Sequence, residues 1–185
     1  MVNCEVIHIK YYYTEKKVTE LLKHMVILVD TREQSNTKII EYFDKKKIPY
    51  ESRALKTGDY SFKIKACPEL GFAMDTYFTD ELCIERKNSL EEIAGNICEK
   101  DERFLKELNR MINIEDVYLL IENDSVDGIL EHDYKNKYNE LSFLRTILKT
   151  QKRCDFYLYF VKTKNMGQMI YEICRNTLMD KILKA

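Results

Sequence analysis

Hydrophobic and polar positions switch between two periods along this chain, and the switches mark its elements. Val18, Leu21 and Leu22 share one helical stripe behind Thr14-Glu15-Lys16-Lys17, which predicts a short amphipathic helix packed on the domain that follows. Residues 1–24 read as an N-terminal helical appendage and residues 25–185 as the main domain. Val26-Ile27-Leu28-Val29 is an all-apolar run closed by Asp30, the pattern of a strand buried on both faces. Ser35-Asn36 is positioned to cap a helix carrying Ile39, Ile40 and Phe43, which stops before Pro49. Tyr50 to Leu55, a turn at Thr57-Gly58 and a strand from Asp59 through Ile64 come next, and residues 65–80, with Pro68 and Gly71, predict a long loop or hairpin extension. Leu82-Cys83-Ile84 opens a strand ending near Glu85, and Ser89-x-x-Glu92 has the form of a capping box for a helix starting just after Lys87. A helix over about 101–112 presents Phe104, Leu105, Leu108 and Met111, and Val117 to Ile121 is the clearest central strand. Leu141, Leu144 and Leu148 predict another helix, Phe156 to Val161 another strand, and Met166, Ile170, Ile173 and Leu178 a final helix. Strands alternating with helices predict an α/β fold with a central mixed, mostly parallel sheet flanked by helices on both faces.

Composition excludes several alternatives. With 45% hydrophobic and 33% charged residues the chain has a globular balance, and no apolar run approaches the length of a membrane span. The start, Met1-Val2-Asn3-Cys4-Glu5, lacks the basic-then-apolar layout of a signal peptide, so a cytoplasmic location is expected. The six cysteines contain no C-x-x-C pair and read as reduced, buried small hydrophobes. A zinc site using His8, His24 or His132 is set aside on spacing. The net charge of −1 hides an asymmetry, because residues 134–185 carry eleven basic and only four acidic side chains. An acidic part suited to cations beside a basic part suited to phosphates fits a nuclease as well as it fits solvated lysine faces.

Glu-x-Lys triplets occur at Glu15 and Glu85, about the number expected by chance, so the motif carries little by itself. The setting of Glu85 is what distinguishes it. It closes an apolar strand, and strand ends are where sites collect in open α/β sheets. Residues two apart on a strand share a face, so Glu85 and Lys87 are expected to point the same way. Asp59, after the turn that Gly58 permits, is expected to meet Glu85 across the strand pair. A metal-held carboxylate beside an ammonium that positions water is the pairing phosphodiester hydrolysis requires. Asp59 and Glu85 with waters and a phosphate oxygen make a site for Mg²⁺ or Mn²⁺, and Asp30 is expected to add a third ligand with Glu33 as a supporting acid. Asp30 and Glu33 suit helix capping equally well.

Val29-Asp30-Thr31-Arg32-Glu33, Gly58-Asp59-Tyr60, Ile84-Glu85-Arg86-Lys87 and the strand Val117 to Glu122 resemble, in order and spacing over residues 25–163, the nuclease domain of the XPF-type structure-specific endonucleases. The Tyr-rich N-terminus and the segment Cys67 to Gly71 resemble a compact bacterial and prophage branch of that family. The resemblance implies a restriction-endonuclease-like core, cleavage of DNA near junctions or flaps with Mg²⁺ or Mn²⁺, and Asp30, Glu33, Asp59, Glu85 and Lys87 as the catalytic set. It places Arg32, Arg86 and Arg103 among the DNA contacts, with Arg86 able to brace the site from the opposite face. Glu91 stands where the family has Asp, four residues after its Lys, and reaches one methylene further. The tandem helix-hairpin-helix module of larger relatives has no counterpart here, so phosphate binding falls to basic clusters, foremost Lys149, Lys152 and Arg153, with Lys162 and Lys164 after the last strand. The expected partners are branched or junction DNA, a second copy of the chain, and replication or recombination proteins. A Holliday-junction resolvase, a non-catalytic DNA-binding subunit and an RNA-cleaving enzyme stay open as alternatives.

Overall fold

The computed structural model describes residues 13–98, 106 and 109–184. The element order is α1 (Glu15–Leu22), β1 (Met25–Val29), α2 (Thr37–Lys46), β2 (Tyr50–Ser52), β3 (Tyr60–Ile64), a 3₁₀ turn (Pro68–Leu70), β4 (Thr76–Tyr77), β5 (Leu82–Lys87), α3 (Leu90–Cys98), β6 (Asp116–Glu122), α4 (Val126–Leu130), α5 (Glu140–Cys154), β7 (Phe156–Val161) and α6 (Thr163–Lys184). The seven strands form one mixed sheet in the order β2-β1-β3-β5-β6-β7, with β4 paired to β3. β1 with β2, β5 with β6 and β6 with β7 run parallel, whereas β3 is antiparallel to β1, β4 and β5.

The continuous apolar runs become the central strands because both sheet faces are covered there. Every residue of β1, β3 and β5 is buried. On one face, Ile27, Tyr60, Phe62 and Ile84 pack with Ile39 and Phe43 of α2 and Met166, Ile170 and Cys174 of α6. On the other, Cys83, Val117, Leu119 and Ile121 pack with Leu90 and Ile93 of α3 and Phe143 and Ile147 of α5. Leu21 of α1 is fully buried in the first of these cores.

Several expectations change in detail. Strand β5 runs on to Lys87, two residues past Glu85. Segment 65–80 is a built hairpin extension in which Cys67 bridges Phe72 and Thr76-Tyr77 pair with Ile64 and Lys63. Asn36 makes no side-chain cap to α2; its amide donates to the Glu33 carbonyl instead. The helix expected from Leu141, Leu144 and Leu148 forms, but Leu141 and Leu148 are exposed and Phe143 and Ile147 face the core. Two apolar stripes compete on that helix, and the ring of Phe143 turns it inward by packing edge-on against Tyr134 and beside Tyr138. The helix expected over about 101–112 lies mostly outside the described residues, as does Arg103.

Gly58 is the one turn glycine the site depends on. Its φ is +75°, and a Cβ there would lie 2.5 Å from Cys83 Sγ and 3.0 Å from the Ile84 carbonyl oxygen. Gly58→Ala is therefore expected to lower stability by about 1–3 kcal/mol in urea denaturation. Gly95→Ala is the comparison, because a Cβ at Gly95 meets nothing within 4 Å.

Candidate active site

Pairing of Tyr60 with Ile84 brings Asp59 alongside the Glu85 end of β5, toward this edge of the sheet. The Asp59 amide donates to the Ile84 carbonyl at 2.8 Å, and Asp59 Oδ2 accepts from the Arg86 amide at 2.8 Å, which locks the carboxylate against β5. Lys87 Nζ lies 2.7 Å from Glu85 Oε1 and 3.6 Å from Glu92 Oε1. Glu85 and Lys87 are both buried. Strand alternation therefore brings Asp59, Glu85 and Lys87 onto one face, beside the start of α3. The S-x-x-E motif sits there as expected in part: Ser89 Oγ accepts from the Glu92 amide, but Glu92 Oε2 reaches back to the Asn88 amide.

Arg86 points to the opposite face. Its Nη2 donates to Glu33 Oε1 (2.8 Å) and the Ser35 carbonyl (3.0 Å), and its Nη1 to Glu122 Oε1 (2.8 Å) and Asn88 Oδ1 (2.7 Å). Burial opposes its charge, but Glu33 and Glu122 outweigh that and hold its pKa above the ordinary value. With a side chain only 1% exposed, Arg86 has no surface to offer DNA and is a buried brace in place of the expected DNA contact. Glu122, read from sequence only as the end of an apolar strand, is the missed member of this network; its Oε2 also accepts from Thr163 Oγ1. Glu91 likewise turns outward, accepting from the Lys135 and Asn136 amides.

Asp30 stands beside Asp59, its amide donating to the Asp59 carbonyl at 2.8 Å. Its Oδ1 accepts from the Arg32 amide and Nε, and its Oδ2 from the Leu55 amide at 2.6 Å. Glu33 is committed to Arg86 and the Ser35 amide. Glu33 is thereby held on Arg86, and among the described residues no group of three or more His, Cys, Asp or Glu side chains is set to hold a metal. Asp30 staples the Arg32 turn to the loop after β2. Burial pushes the Asp30 carboxyl up, but the Arg32 side chain and the two amides outweigh it and leave it below the usual carboxylate range. A depressed folded-state pKa stabilises above the unfolded value of about 3.9 and is lost as pH falls through the folded value. Asp30→Ala is expected to cost about 1–3 kcal/mol at pH 7, with the gap from wild type narrowing in acid; urea denaturation at both pH values measures it.

The basic candidates divide. Arg32 is 64% exposed while tied to Asp30, so it lies at the surface near the site edge. Lys149, Lys152 and Arg153 are exposed, but they end α5 just before β7 begins, whereas Lys87 and Glu122 stand at the other ends of their parallel strands. A helix returning to a parallel strand must finish at the strand's starting edge. This cluster therefore sits across the sheet from the site, at about 16–20 Å. Arg153 is further bonded to Asn109. Lys162 and Lys164 follow β7 on the site's edge.

The mixed sheet and its flanking helices make this a restriction-endonuclease-like α/β fold. Residues 29–173 match the ERCC4 domain, and the chain belongs to that family. XPF from Aeropyrum pernix has a similar structure, with a TM-score of 0.59 and 18% identity over 83% of this chain and 65% of that one. XPF from Aeropyrum pernix in complex with DNA gives a TM-score of 0.59 and 18% identity over 84% and 66%. The chain thus spans slightly less than two thirds of these relatives. No curated protein matches it. No helix among the described residues is long and apolar enough to cross a membrane.

Proposed function

We propose that this domain hydrolyses DNA phosphodiester bonds with a divalent cation, acting at branched, flap or junction DNA. The observation that carries the reading is Asp59 brought alongside the Glu85 end of β5, with the Lys87 ammonium 2.7 Å from the Glu85 carboxylate on the same face. Two hard carboxylates suit Mg²⁺ or Mn²⁺, which are held by one or two protein carboxylates with waters and substrate phosphate filling the remaining positions. Asp59 and Glu85 would hold the ion, which supplies Lewis-acid activation of water and offsets charge on the phosphoryl oxygens. Lys87 orients the attacking water and stabilises the negative charge that builds on phosphorus. Arg86, clamped by Glu33 and Glu122, fixes the strand end from behind, and its amide fixes Asp59 from the front. Arg32 and Lys162 are placed for phosphate contacts beside the site.

The ERCC4 membership and the likeness to XPF, one of whose structures is a complex with DNA, support the substrate class. The test offers purified protein linear duplex, flap, fork and four-way-junction DNA, each with Mg²⁺, with Mn²⁺ and with chelator. Metal-dependent cutting of branched substrates over linear duplex is the expected result. Symmetric nicks confined to four-way junctions would reassign it as a resolvase, and binding to all four without cutting would overturn the catalytic reading.

A further inference from the structure

Segment 65–80 is held firmly to the sheet. Phe78 and Leu70 are buried in the core, Phe78 stacks on Phe62 at 4.4 Å, and Asp75 accepts from the Ala66 amide and the Lys63 ammonium. What it adds to the sheet is Tyr77, paired with Lys63. Lys63 is itself pinned between Glu51 (2.8 Å) and Asp75 (3.0 Å) and lies 5.4 Å from the Tyr77 ring centroid. Arg53, exposed at the end of β2, stacks its guanidinium on the same ring at 4.2 Å and donates Nη1 to Tyr77 Oη at 3.1 Å. Lys63 is four residues from Asp59 along β3, so both are on one face of the sheet, about 13 Å apart. The Arg53–Tyr77 platform therefore shares the face of the candidate active site.

We propose that Arg53, held on Tyr77 by the 65–80 hairpin, is a DNA-phosphate contact that grips the substrate beside the scissile phosphate. The ligand is a phosphate and not an unpaired base, because the Tyr77 ring is already covered by a guanidinium. One of Arg53's five N–H donors is used by Tyr77, which orients the planar fork of this exposed side chain. Lys63 serves as anchor, since its charge is matched by two carboxylates. The inference rests on the nuclease reading and assigns a role to the one large departure of this chain's site from an unbroken Asp59-to-Glu85 hairpin.

The test compares wild type, Arg53→Ala, Arg53→Lys and Tyr77→Ala on a forked DNA, measuring kcat and KM for cleavage and the salt dependence of binding by anisotropy. Arg53→Ala is expected to raise KM about five- to tenfold with kcat unchanged, and to reduce the slope of log affinity against log salt by about one. Tyr77→Ala should match it with folding intact by circular dichroism, and Arg53→Lys should fall between. Wild-type KM and salt slope in Arg53→Ala would overturn the contact while leaving the nuclease reading standing. A wild-type protein that neither binds nor cuts the fork would overturn both.

Discussion

Lys87→Ala is expected to lose cleavage by about 10²–10⁴-fold while binding forked DNA with wild-type affinity. The ammonium lies 2.7 Å from Glu85 and is buried with it, so it serves the reacting centre and not the DNA-binding surface. The same substitution removes the cation that neutralises a buried carboxylate. In metal-free buffer the variant should therefore melt below wild type, and added Mn²⁺ should restore more stability to the variant than to wild type. Single-turnover cleavage, anisotropy and thermal melts with and without Mn²⁺ separate the three effects. Retained cleavage, or cleavage and DNA affinity lost together, would remove Lys87 from the chemistry.

The largest stability effect is expected at Arg86. Arg86→Met leaves Glu33 and Glu122, each with a side chain only 10% exposed, as buried acids without their shared cation. Breaking a buried ion pair from one side costs about 3–5 kcal/mol. Urea denaturation should show that loss, and Arg86→Lys, which keeps the charge but cannot span both acids with a planar fork, should recover only part of it. Cleavage should fall with stability in both variants, because the Arg86 side chain holds the strand end whose backbone amide positions Asp59. A loss under about 1 kcal/mol would mean the network is incidental to the fold.

Much of this architecture was legible because burial on two faces leaves a strong mark. β1, β5 and β6 are apolar runs closed by an acid, and period-two alternation alone is enough to put Glu85 and Lys87 together and Arg86 behind them. The turn at Gly58 likewise places Asp59 alongside the Glu85 end of β5. What stayed hidden depends on contacts distant in sequence. The pairing of Arg86 with Glu122, 36 residues on, follows from β5 and β6 ending side by side, which no local pattern encodes. The Leu55 amide that binds Asp30 comes from a loop 25 residues away, which the strand-end position of Asp30 does not encode. The α5 face was misjudged because leucines and aromatics occupy adjacent stripes and only the neighbouring Tyr134 and Tyr138 decide between them. The basic cluster at Lys149, Lys152 and Arg153 was right as a charge pattern, but the direction of a parallel crossover puts it at the far edge of the sheet.

In the proposed function, Asp59 and Glu85 act together through a divalent cation. Single-turnover cleavage of a flap DNA by wild type and Asp59→Asn across a Mg²⁺ titration tests it most directly. Wild-type cutting should rise with Mg²⁺ and stop with chelator, and the isosteric Asn variant should fold, bind the flap and not cut. Cleavage that persists in chelator, or that proceeds equally in Asp59→Asn, would contradict that role.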